Sequence, residues 1–117
     1  MSNLLHGNFP LLTYRNLDAQ ITGSIVKASA GGIFDLTVSN ANAAIRYLKL
    51  YNKATAPTSA DTPVRTYMLP PSSTVVIPVT DGINFTAGIS LRASTGVADN
   101  DNTAPAANDV IVNIGYL

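Results

Sequence analysis

The sequence predicts a single all-β domain, an antiparallel β-sandwich of seven or eight strands with a jelly-roll-like order. Three observations lead there: short runs that alternate apolar and polar residues, turn-forming residues between those runs, and a composition poor in helix formers. Charged residues make up only 12% of the 117 residues, about half of the roughly 25% usual in soluble domains, while 46% are hydrophobic. Serine, threonine and asparagine, at 9, 12 and 11 residues, must solvate the surface instead. Glutamate is absent and the only glutamine is Gln20. That mix disfavours helices, because Ser, Thr and Asn compete for backbone hydrogen bonds and Glu and Gln are among the better helix formers.

Taken in chain order, residues 1–20 stand apart as an N-terminal arm ahead of a sandwich domain at 21–117. Leu4, Leu5, Phe9, Leu11, Leu12 and Tyr14 bring large apolar groups without clean strand alternation. Such groups need cover, either as a terminal strand docked in its own sheet or as an arm lying on a partner. The arm is the expected arrangement, with residues 11–14 able to pair as a strand or run free. Residues 20–27 form a weaker strand, and Gly31-Gly32 reads as a turn before a clearer one at 33–39. There Phe34, Leu36 and Val38 alternate with Asp35, Thr37 and Ser39.

Residues 44–51 are apolar on both faces: Leu48 and Leu50 point one way, and Ile45, Tyr47 and Tyr51 the other. A strand of this kind is covered twice, and the expected second cover is a neighbouring subunit, since Tyr and Arg are favoured at interfaces. Two strands follow at 64–69 and 74–79, joined by Pro70-Pro71-Ser72-Ser73, and Pro78 marks an edge or a bulge. In residues 85–93, Phe85, Ala87, Ile89, Leu91 and Ala93 alternate with Thr86, Gly88, Ser90 and Arg92. The last strand, 109–117, repeats the pattern with Val110, Val112, Ile114 and Tyr116 on one face. Two connections are long, at 52–63 and 95–108.

Residue types also bound the chemistry. Seven acidic and seven basic side chains leave no net charge, and the basic ones form no run, so no nucleic-acid footprint is expected. No apolar stretch reaches the roughly 18 residues of a membrane span, and the first ten residues lack a signal peptide's basic end and apolar run, which predicts a product made in a cytoplasm and not exported by the usual route. With no cysteine and a lone histidine, His6, neither a Ser-His-Asp nor a Cys-His constellation has a natural base, and no enzyme is expected. All seven acids are aspartates beside turns, where Asp commonly caps backbone amides; Asp35, Asp61 and Asp81 are the ones available to hydrolytic chemistry. Asp99-Asn100-Asp101-Asn102 resembles part of a calcium loop but lacks its glycine turn and its glutamate, so a plain acidic loop is expected and no metal or cofactor. Tyr47, Tyr51 and Tyr67 would be an aromatic platform for a sugar only if the register brought them together.

Two stretches carry a resemblance. They are Val-Lys-Ala-Ser-Ala-Gly-Gly at 26–32 and Arg-Tyr-Leu-Lys-Leu-Tyr-Asn-Lys-Ala-Thr-Ala-Pro-Thr at 46–58, with the Ser39-Asn40-Ala41-Asn42 turn and Asp61-Thr62-Pro63 beside them. In these the chain resembles small structural proteins of tailed bacteriophages, loosely over residues 26–117 and not over the first 25. The resemblance implies a capsid decoration, or cement, protein that sits as a homotrimer on the assembled head, with the major capsid protein as partner and the virion surface as location. The alternative is a tail, baseplate or fibre module that binds a host-surface carbohydrate. The residues expected to meet a partner are Leu4, Leu5, Phe9, Leu11, Leu12 and Tyr14 in the arm, with Ile45, Tyr47 and Tyr51 in the doubly apolar strand.

Overall fold

A computed structural model describes residues 11–117. Leu4, Leu5, Phe9 and His6 lie outside the described residues. Nine strands form among those described, and no helix: β1 (Leu12–Asn16), β2 (Ser24–Lys27), β3 (Gly31–Asn40), β4 (Arg46–Asn52), β5 (Arg65–Leu69), β6 (Ser73–Val76), β7 (Ile83–Phe85), β8 (Ile89–Ser94) and β9 (Val110–Tyr116).

Every pairing is antiparallel. The first sheet runs β1-β9-β3-β6, with β7 added beside β3, and the second runs β2-β8-β4-β5. The pairs β1·β9, β2·β8, β3·β6 and β4·β5 are all hydrogen-bonded. The chain is thus one long hairpin with its tip at β4 and β5, its two arms matched strand by strand and then wrapped into two layers. This is the jelly-roll order.

Alternation explains the layers. Leu36, Val38, Val110, Val112 and Ile114 of the first sheet face Leu48, Leu50, Leu69, Ile89, Leu91 and Ala93 of the second, and all are buried in one core. Each such side chain contributes about 1.5–3 kcal/mol when fully buried, so the sandwich needs neither disulfide nor metal to close.

Four sequence expectations change in detail. The run at 85–93 is two strands, because β7 belongs to the first sheet and β8 to the second. The chain crosses at residues 86–88, where the amides of Ala87 and Gly88 donate to Asn52 Oδ1 at 2.8 and 3.3 Å. Gly88 is required there, since a Cβ would stand 2.7 Å from Ala54 Cα. Gly31 and Gly32 are not a turn but the start of β3, paired with Phe85 and Asn84. Within β3 the register against β9 slips between Ile33 and Asp35, so Ile33 rather than Phe34 enters the core beside Leu36. Finally, β6 ends at Val76; Ile77 still donates to Leu36 O at 2.9 Å, and Pro78, without an N–H, cannot continue the ladder.

The stretch taken as an arm, residues 1–20, is docked in the first sheet from Leu12 onward. β1 pairs with β9 from Leu12↔Tyr116 to Asn16↔Val112. Ala19 is fully buried and donates its amide to Val110 O at 3.0 Å.

Candidate partner-binding surfaces

Over the central strands β4 and β8, the outer face of the second sheet is covered by the chain itself. Core-facing Leu48 and Leu50 leave Tyr47, Lys49 and Tyr51 pointing outward, and on β8 the outward set is Ser90, Arg92 and Ser94. Lys49 and Arg92 are register partners, fully buried, and no carboxylate lies within ion-pair distance of either among the described residues. The loop over residues 95–108 supplies neutral partners in place of carboxylates. Arg92 Nη2 donates to Asp101 O at 3.1 Å and Asn102 Oδ1 at 2.9 Å, and Lys49 Nζ donates to Ala98 O. Arg92 also reaches Ile21 O through Nε at 2.8 Å and the Tyr51 hydroxyl through Nη1 at 3.2 Å.

Loss of solvent, and then the nearby Arg92 charge, hold the Lys49 pKa below its ordinary value, with Asp101 and Asp99 opposing. The loop is self-braced. Asp101 accepts from the amides of Gly96 and Thr103 at 3.0 and 3.3 Å and from Thr103 Oγ1 at 3.2 Å. Burial pushes the Asp101 pKa up, but these donors and the Lys49 charge outweigh it and leave the net shift downward. Among the described residues no group of three His, Cys, Asp or Glu side chains gathers to hold a metal ion.

Within the single chain, this loop supplies the outer cover at Lys49 on β4. Tyr51, expected at a partner, is 1% exposed in the single chain. Ile45 and Tyr47 escape the loop: Ile45 is exposed and Tyr47 half-buried, opposite Met68 on β5. Tyr67 packs against the core instead, so Tyr47, Tyr51 and Tyr67 share no platform.

Among the described residues, the large exposed apolar side chains other than Val97 are grouped on two opposite edges. Along the β1–β2 edge lie Leu12, 55% exposed, with Leu17 and Ile25. Leu11 lies beside Gly115, where it would meet a Cβ at 2.9 Å, and Tyr14 packs partly on the core with its hydroxyl accepting from Asn16 Nδ2 at 2.9 Å. At the other side of the sandwich, Ile45, Val64, Met68 and Val76 flank β5 and β6, with Met68 and Val76 57% and 71% exposed. The described members of the expected partner set thus divide between two surfaces: Leu11, Leu12 and Tyr14 on one, Ile45 and Tyr47 on the other. Sequence reasoning missed Met68 and Val76, because alternation alone gave their strands no side that faced out of the body.

The aspartates mostly hold turns. Asp109 accepts from Arg46 Nε at 3.0 Å, from Asn42 Nδ2 at 3.2 Å and from the Ala106 amide at 2.9 Å. Although burial opposes it, the Asn42, Arg46 and Ala106 donors lower the Asp109 pKa. Asp61 pairs with Lys53 at 2.7 Å and takes the Thr58 amide at 2.8 Å. No family model, curated protein or solved structure matches the chain.

Proposed function

We propose that this chain is a structural protein of a tailed-bacteriophage virion, a capsid decoration protein that binds the assembled head and stabilises it. The single observation that supports this most is the placement of the exposed apolar side chains. Among the described residues, all the large ones but Val97 sit on two opposite edges of the sandwich. An edge carrying Leu12, Leu17 and Ile25 that meets, on the next copy, an edge carrying Ile45, Met68 and Val76 makes a head-to-tail contact, and such contacts close into a ring when the rotation per copy divides the circle. The proposed ring is a trimer, its partner is the major capsid protein, and residues 1–10 are the proposed attachment segment. No catalysis is assigned.

The mechanism is thermodynamic. A protein that binds only the finished shell stabilises it by mass action, about 2.7 kcal/mol per site when free ligand is about a hundredfold above Kd. Purified protein should bind emptied heads in a pelleting assay and raise their temperature of rupture, and a density map of the virion should place it on the icosahedral shell. Density at the tail alone sinks the proposal.

A further inference from the structure

The strands at the ends of the two sheets are not alike. Among the described residues, β1 pairs only with β9 and β5 only with β4, while β2 and β6 lie at the other ends of the sheets. β2 carries the devices that keep an edge from pairing: its register against β8 shifts between Ile25 and Lys27, and Lys27 itself stands there. β6 is only 4 residues long, and its line ends at Pro78. β1 and β5 have 5 residues each, run in unbroken register with their neighbours, and contain neither proline nor lysine. Such an edge presents a row of unpaired N–H and C=O groups to any strand that can lie alongside it.

We propose that β1 of one copy pairs antiparallel with β5 of the next, Leu12 opposite Leu69 and Asn16 opposite Arg65. The inference rests on the head-to-tail reading of the two edges and names what joins them: ladder hydrogen bonds that run the first sheet of one copy into the second sheet of its neighbour.

Side-chain matching selects this register. Leu12, Tyr14 and Asn16 sit on the core side of β1, opposite Tyr116, Ile114 and Val112. Arg65, Tyr67 and Leu69 sit on the core side of β5, opposite Leu50, Leu48 and Arg46. Antiparallel pairing centred on Tyr14 and Tyr67 opposes leucine to leucine and tyrosine to tyrosine on that side, with Thr13 against Met68 and Arg15 against Thr66 on the other. Aromatic and apolar pairs of this kind are what stabilise neighbouring strands. A parallel arrangement would instead set Leu12 against Arg65 and Asn16 against Leu69, and a slip of one residue would turn Leu12 to the face opposite Leu69. Arg65 is an inward charge of the sort that guards a free edge, but it stands at the first residue of its strand. There it meets Asn16, whose Oδ1 accepts the Asp18 amide at 2.9 Å and has a second lone pair to offer. Leu69 O accepts from Asn40 Nδ2 of its own chain at 3.1 Å, so the new ladder is built on Arg65 to Met68.

The test is cysteine cross-linking, which the chain suits because it has no cysteine of its own. Thr13→Cys and Met68→Cys, prepared separately and mixed at high concentration under mild oxidation, should give a disulfide-linked dimer as the main product on a non-reducing gel. Opposed residues of an antiparallel pair fall within the Cα separation that a disulfide needs. Thr13→Cys mixed with Thr66→Cys, two residues out of register, should stay unlinked, and so should Thr13→Cys mixed with Val76→Cys on β6. All four side chains are exposed, so the fold should be unchanged. Light scattering on the unsubstituted chain separates the possible failures. An oligomer that gives no Thr13–Met68 link, or links Thr66 or Val76 as readily, overturns the strand pairing and leaves the ring standing. A monomer at high concentration overturns the ring and the pairing together, while head binding is read separately by the pelleting assay.

Discussion

The two sheets show the same alternation in sequence but end with opposite outer faces. On the first sheet, Thr13, Arg15, Thr37, Ser39 and Asn113 stand between core positions and meet solvent, with Val76 beside them. On the second, Lys49, Tyr51, Ser90, Arg92 and Ser94 occupy equivalent positions and are buried, with the 95–108 loop bonded to Lys49, Arg92 and Ser94. An outward-pointing cation therefore means different things on the two sheets. Arg15 is solvated, whereas Arg92 is a strut whose donors are spent on Ile21, Tyr51, Asp101 and Asn102. Burial without a carboxylate makes each of those bonds matter, because a lost partner leaves a desolvated group with nothing to replace it.

Substitution at the paired positions tests this contrast. Arg92→Ala should destabilise by about 3–5 kcal/mol in urea unfolding, while Arg15→Ala should stay within about 0.5 kcal/mol. Equal effects would mean that the loop does not seal the sheet. Next in size is Asp109→Asn, which removes the acceptor for Arg46 and should cost about 1–3 kcal/mol. It should also flatten the acid limb. Asp18, Asp61, Asp101 and Asp109 all have pKa values lowered from the ordinary 3.8, so their stabilisation is present above that value and is lost as pH falls through their folded values. A stability profile in Asp109→Asn as steep as in the unsubstituted chain would refute that assignment.

Lys49 gives a slope of the same sign in a more alkaline window, but at neutral pH its buried charge costs stability where the aspartates add it. Its folded pKa is lowered, so between that value and the ordinary 10.5 the unfolded chain holds more protons and stability rises with pH. Lys49→Met keeps the buried stem, removes the charge, and should be neutral or stabilising by up to about 2 kcal/mol at neutral pH, without the alkaline rise. The smallest change in stability belongs to the open edges. Leu12→Lys with Met68→Lys should leave the unfolding midpoint within about 0.5 kcal/mol of the original. Light scattering at high concentration should nevertheless report loss of self-association, and an unchanged oligomer would remove the two edges from the proposed ring.

Much of this architecture was legible in the sequence, and the exceptions share a cause. Alternation located β3, β4, β5, β8 and β9 because one face of each is core, and the aspartates were read as turn anchors because their side chains reach amides a few residues away. The reading of residues 44–51 as covered on both sides holds for Leu48 to Tyr51 and not for Ile45, which is exposed. What covers them was not legible, because Lys49 and Arg92 become neighbours only when β4 and β8 pair, and the loop's carbonyls arrive from a third place in the chain. The crossing at 86–88 was invisible for a related reason: a strand that changes sheets can keep its period of two. The slip at Ile33 and Asp35 left no local mark either, since Ile33 and Phe34 are both apolar.

The strand-by-strand matching of the two arms also sets an order for folding. Pairing β4 with β5 closes the shortest loop of the four matched pairs, and each later pair must close a longer one, ending with β1 on β9. Contacts this distant in sequence fold slowly, on the millisecond-to-second scale typical of sandwiches. Replacing Leu69 with Ala should then slow folding, and replacing Tyr14 with Ala should mainly speed unfolding; stopped-flow kinetics with the reverse pattern would put the nucleus at the other end. If stopped-flow kinetics place the pairing of Leu12 with Tyr116 last, the β1 edge exists only on a finished domain, and any contact that depends on that edge would be closed to folding intermediates.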